Sequence, residues 1–90
     1  MSEQDVFDTL RYRMEVDESG TRRYYDHAGR CHRDSGPAVE YANGGKGWYQ
    51  NGQLHRTDGA AIEWWNGTKF WYINGKCLSE DEFNQAVKLL

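Results

Sequence analysis

The stretch Trp48–Lys76, WYQNGQLHRTDGAAIEWWNGTKFWYINGK, decides the fold. Trp-Tyr occurs in it twice, at Trp48-Tyr49 and Trp71-Tyr72. Each time Asn-Gly follows after one residue, at Asn51-Gly52 and Asn74-Gly75. Between the two copies lies the polar insert His55-Arg56-Thr57-Asp58-Gly59. Sliding the chain by 23 residues aligns it with itself. Gly29, Gly52 and Gly75 then coincide, as do His32 with His55, Arg33 with Arg56, Gly36 with Gly59 and Glu40 with Glu63. Agreement of many positions at one period is the mark of a repeat. The chain holds roughly two full units and a degenerate first one, in which Gly20 and Tyr24-Tyr25 stand for Gly44 and Trp48-Tyr49.

The unit has the composition of paired strands. Asn-Gly occurs four times, at 43–44, 51–52, 66–67 and 74–75. Between β-forming residues it signals a type I′ hairpin turn, which needs positive φ at both central residues. Strands are expected over 45–50, from Gln53 to His55, over 60–65 and over 68–73, with Arg56 to Gly59 as a turn. The expected fold is mainly β (α+β): an antiparallel β-meander of 23-residue hairpin repeats, each stacked on the next. The whole chain, 1–90, is expected to be a single domain, with the repeat sheet over 13–78.

The ends follow another pattern. Ser79-Glu80-Asp81-Glu82 is a capping box, and Phe83, Ala86, Val87 and Leu90 share one helical face, so a C-terminal capping helix is expected over 79–90. It begins where a third His-Arg would fall. A short N-terminal helix is expected over 2–12, with Val6, Phe7 and Leu10 apolar. Such helices would cover sheet edges that otherwise invite aggregation.

Composition narrows the function. The net charge is −3, and no basic tail or stripe stands out. Direct nucleic-acid binding is therefore disfavoured, since it needs clustered cations to displace counterions. Arg11, Arg13, Arg22 and Arg23 form a local basic group that reads as solvated surface. No apolar run is long enough to span a membrane. The first ten residues lack the pattern of a secretion signal. Two cysteines then suit a cytoplasmic protein with free thiols.

The residues from Tyr24 to Phe83 resemble a repeat family of large tailed bacteriophages, whose unit runs approximately Trp-Tyr-x-Asn-Gly-x-x-His-Arg-x-Asp-Gly-Pro-Ala. The family is similar to the MORN-type hairpin repeats. Trp48 to Gly59 fits the unit position by position, with Ala60 where proline is usual. The earlier copy keeps Pro37 and Ala38 but has Ser35 where aspartate is usual. The MORN glycine-tyrosine-glycine-tryptophan spacing is absent, so no membrane-binding role follows. The resemblance implies a hairpin-repeat architecture and a phage source, hence the host cytoplasm. It implies no catalytic residues.

His55 with Asp58, and His32 with Asp34, have the composition of acid–base pairs. Their recurrence at a structural period argues for turns and packing instead. On that reading His32, Arg33, Gly36, Asn51, Gly52, His55, Arg56, Asp58, Gly59, Asn74 and Gly75 are structural, with Glu40 and Glu63 as partners for Arg33 and Arg56. No catalytic residue, cofactor or metal site is expected. The cysteines show no metal-ligand spacing. Cys31, Leu54 and Cys77 share one repeat position, so the thiols are expected to pack in a small apolar site.

The aromatics exceed what one small core face needs. Phe70 and Tyr72 fall on one face of their strand, Trp71 and Ile73 on the other, and Trp64 and Trp65 split likewise. An open aromatic face marks a binding surface. Tyr49, Trp64, Trp65 and Tyr72 are the expected anchors, and Glu40 and Glu63 the acidic contacts. The function expected is that of a small non-enzymatic phage protein that binds and inhibits or redirects a host protein. A nucleic-acid-binding defence complex is one such target, which would make the chain an anti-defence, anti-CRISPR-like inhibitor. The alternative is a single-stranded nucleic-acid-binding module that stacks bases on exposed rings. A homodimer through outer strands or the aromatic face is a further expectation.

Overall fold

A computed structural model describes residues 12–90. The expected N-terminal helix over 2–12 lies outside the described residues, save for Tyr12, which leads into the first strand. The described chain is mainly β, with nine strands and one C-terminal helix. In chain order the strands are β1 (Arg13–Val16), β2 (Arg22–Tyr25), β3 (Val39–Glu40), β4 (Lys46–Gly47), β5 (Tyr49–Gln50), β6 (Gln53–Leu54), β7 (Ile62–Glu63), β8 (Lys69–Ile73) and β9 (Lys76–Leu78). Helix α1 spans Glu80–Lys88.

Seven strands form an antiparallel meander-like sheet in the order β1-β2-β3-β4-β7-β8-β9. The β5–β6 hairpin leaves the sheet between β4 and β7 and returns. The expected strand 45–50 is thus broken at Trp48, whose amide still donates to the Ala61 carbonyl at 2.8 Å.

Asn-Gly makes two kinds of turn. At Asn51-Gly52 and Asn74-Gly75 both residues have positive φ, 54° and 82° in the first and 50° and 81° in the second. These are two-residue loops of the type I′ kind. At 43–44 and 66–67 only the glycine has positive φ. There the Gly44 amide donates to the Tyr41 carbonyl, the Tyr41 amide to the Gly45 carbonyl, and the Asn43 side chain accepts from the Gly45 amide. This is a three-residue loop closed by a glycine bulge, and Trp64 to Thr68 repeats its bonds. The expectation of four type I′ turns is therefore corrected to two.

Register explains the difference. In the three-residue form Glu40 lies opposite Lys46 and Glu63 opposite Lys69. A two-residue turn at 43–44 or 66–67 would slip each pairing by one residue and break these opposite-charge pairs. The same register sets Arg22, Glu40, Lys46, Glu63 and Lys69 side by side across five strands, with alternating sign.

Alternation along the strands places Tyr24, Trp48 and Trp71 on the face that carries this charged row. Ala38 and Ala61 lie between the rings and are fully buried. The opposite face carries Val39, Gly47, Ile62 and Phe70 in one row, flanked by Tyr41 and Trp64, whose rings lie 5.5 Å apart. Gly47 lets the Tyr49 ring approach closely, since a Cβ there would stand 3.2 Å from it. Among the described residues the buried apolar set is small: Tyr24, Ala38, Val39, Ala60, Ala61 and Phe83.

Ser79 caps α1 as its sequence requires. Its hydroxyl accepts from the Glu82 amide, and the Glu82 carboxylate accepts from the Ser79 amide. The helix packs on β8 and β9 and buries Phe83.

Candidate functional site

Two loops that begin His-Arg, 32–37 and 55–60, lie over the charged-row face and flank an open groove of about 730 Å3. Arg33 and Arg56 organise them. The Arg33 guanidinium lies 4.0 Å from the centre of the Tyr24 ring, and that of Arg56 lies 3.8 Å from the centre of the Trp48 ring. Arg33 Nη1 donates to the Pro37 carbonyl at 3.1 Å and to Glu40 at 3.0 Å. Arg56 Nη1 donates to the Ala60 carbonyl at 3.0 Å and to Glu63 at 2.8 Å. Both guanidinium groups are mostly shielded, so these charge-assisted bonds are stronger than surface ion pairs. Gly59 lies so close that a Cβ would stand 3.0 Å from the Arg56 guanidinium, which would have to shift to admit a side chain there.

The histidines hold the next hairpin. Nδ1 of His32 accepts from the Asn51 amide at 2.8 Å, and Nδ1 of His55 accepts from the Asn74 amide at 2.9 Å. Beside each of these bonds, the Gly52 amide donates to the Cys31 carbonyl and the Gly75 amide to the Leu54 carbonyl. Each type I′ turn thus rests its two positive-φ residues on the segment that begins the preceding His-Arg loop. To accept in this way each imidazole carries its proton on Nε2. In His32 that nitrogen lies 3.1 Å from the Asp34 carboxylate.

At the first loop this arrangement engages both members of the expected acid–base pair. His32 is hydrogen-bonded through both nitrogens. Asp34 also accepts from the Tyr12 hydroxyl at 2.6 Å. The Tyr12 hydroxyl, followed by the nearby His32, holds the Asp34 carboxyl below the ordinary aspartate range. Asp58 accepts from Nε of Arg56 at 2.8 Å. No bond joins His55 to Asp58 among the described residues.

The expected partner-binding residues fall into three groups. Glu40 and Glu63 are held by Arg33 and Arg56, so their carboxylates belong to the loops. Tyr49, Trp64 and Tyr72 are half-buried. Burial pushes the Tyr49 hydroxyl above its ordinary pKa; at Tyr72 the main cause of a rise is a hydrogen bond with Cys77. Only Trp65 stands clear, 69% exposed in the loop between β7 and β8. Phe70 on the same hairpin is 42% exposed, and the sequence reading did not name it as an anchor. Its neighbours were the available signal: on its face it follows Gly47 and Ile62, which are too small to cover its ring.

Cys31 is half-buried, but Cys77 is exposed. The common apolar site expected for the thiols is therefore present only at Cys31. The Cys31 and Leu54 carbonyls each receive the glycine of a following hairpin, whereas β9 is the last strand and no hairpin follows it. The alternating signs of the charged row leave no continuous cationic track across the sheet. No helix among the described residues is long and apolar enough to cross a membrane. Comparison of the chain with family models, with curated proteins and with solved structures found no match.

Proposed function

We propose that the chain is a non-enzymatic protein-binding module built of stacked 23-residue hairpin units, and that it recognises a host protein through the β7–β8 hairpin. The observation that carries this reading is the exposure of two large rings, Trp65 and Phe70, on one hairpin. Tryptophan dominates binding hot spots, and grouped exposed rings mark interaction surfaces. The recurrence of the Arg–Glu and His–Asn contacts in both His-Arg loops supports the repeat unit and an architectural role for those loops. The motif likeness to the phage repeat family supports a phage source and a target in the host cytoplasm. The acidic excess favours a basic partner, such as the nucleic-acid-binding groove of a defence complex, which the protein would obstruct.

Affinity capture from host lysate tests this with three baits: the unaltered chain, Trp65→Ala and Phe70→Ala. One defined protein is expected to be retained by the unaltered chain and lost with both variants, whose circular dichroism stays unchanged. Equal retention by all three, or no retained protein, would count against the reading.

A further inference from the structure

Strand β1 is the outermost strand of the seven-stranded sheet, and all four of its residues are exposed. On its inner side it pairs with β2, from Arg13 opposite Tyr25 to Val16 opposite Arg22. The Asp17 amide donates to the Thr21 carbonyl at 3.0 Å, which makes these two a hydrogen-bonded pair. Bonded and non-bonded pairs alternate along an antiparallel ladder. Arg13 and Glu15 therefore turn their main-chain groups towards β2, and Met14 and Val16 turn theirs outward. The far side of β2 agrees: Tyr24, opposite Met14, donates to Ala38 of the next segment. Among the described residues no strand lies on the outer side of β1.

The side chains restrict what fits there. Arg13 and Glu15 share one face, with Nε of Arg13 3.2 Å from the Glu15 carboxylate. Met14 and Val16 share the other, 47% and 54% exposed. The geometry points to a second copy of this chain as the occupant, added antiparallel along β1 about a two-fold axis through Met14. Outward-facing groups can meet in three central registers. Centring on Arg13 sets two guanidinium groups opposite each other, and centring on Glu15 sets two carboxylates opposite each other. Centring on Met14 sets Arg13 of each copy against Glu15 of the other, at the closely spaced, non-hydrogen-bonded positions where cross-strand charges interact best. The two Met14 residues then exchange both main-chain bonds, and their side chains meet on the opposite face. Charge selects this register alone. A strand without the Arg-x-Glu spacing meets an unmatched charged row, which is how edge strands reject chance pairing.

Sedimentation equilibrium over a range of concentrations tests the proposal. The interface is short, so it belongs to the weak class, below roughly 1,200 Å2. The unaltered chain is expected to pass from one chain mass to two as concentration rises. Arg13→Glu and Glu15→Arg are each expected to weaken this association at least about tenfold, through like charges directly opposite. An equimolar mixture of the two variants is expected to associate as tightly as the unaltered chain, because each supplies the charges that the other lacks. One further readout needs no variant: exchange of the Met14 amide is expected to slow as concentration rises. An unaltered chain that stays monomeric, a single variant that associates undiminished, a mixture that does not pair, or Met14 exchange independent of concentration would each overturn the proposal.

Discussion

The Arg56 guanidinium faces the Trp48 ring, donates to the Ala60 carbonyl and reaches Glu63, so one side chain ties three segments together. Arg56→Met keeps much of the apolar stem and removes these two bonds together with the one from Nε to Asp58, leaving Glu63 without its guanidinium partner. A loss of about 2–4 kcal/mol in urea unfolding is expected, since hydrogen bonds to charged groups contribute ~1.5–3 kcal/mol each. Arg56→Lys recovers little of this, because an ammonium lacks the planar fork and stacks poorly. A loss under about 0.5 kcal/mol, the range of ordinary surface substitutions, would contradict the role given to Arg56.

Asp34 sets a pH dependence at the same scale. Its carboxyl is held low by the Tyr12 hydroxyl and by His32. A carboxyl whose native pKa lies below its unfolded value contributes stability that is fully present above the unfolded pKa. That contribution is lost as pH falls through the native pKa. Tyr12→Phe is therefore expected to raise the native midpoint of Asp34 and to flatten the acid limb of the stability curve. Carboxyl-carbon NMR titration reads the midpoint, and an unmoved midpoint would contradict the assignment.

Turns and caps govern the elements. Asn74 has φ of 50°, a conformation that costs most side chains about 1–2 kcal/mol and glycine nothing. Asn74→Ala is expected to destabilise by roughly that amount, with Asn74→Gly close to neutral, as thermal unfolding would show. Equal effects would argue against the type I′ turn. The capping box could be read from sequence residue by residue, because all of its partners lie within four positions. The Asn-Gly turns could be read only in part. The dipeptide permits either loop length, and the choice is made across the sheet by Glu40 against Lys46 and Glu63 against Lys69. Both members of each pair lie within one hairpin, but the dipeptide by itself does not show the register that sets them opposite each other.

At the scale of the whole fold, the apolar core among the described residues is thin, and the clasped loops supply much of the cohesion there. Phe83 is the one buried side chain of α1, so Phe83→Ala is expected to cost about 3–5 kcal/mol and to loosen the helix from β8. A red shift of tryptophan emission, from a more exposed Trp71, would accompany it; unchanged emission and stability would contradict this docking. Sequence alone indicated the meander and the closing helix. Which rings face solvent depended on neighbours brought together by folding: Tyr41 half-covers Trp64, while nothing among the described residues shields Trp65 to the same degree.

Each histidine grips the following hairpin through an N–H···N bond, and NMR can observe that bond directly. Scalar coupling across the hydrogen bond, recorded at mildly alkaline pH, is expected between the Asn51 amide nitrogen and Nδ1 of His32. The same coupling is expected between the Asn74 amide nitrogen and Nδ1 of His55, with both imidazoles protonated on Nε2. Absence of both couplings, with the imidazole proton found on Nδ1, would show that the histidines do not hold the hairpins and would return them to consideration as chemistry.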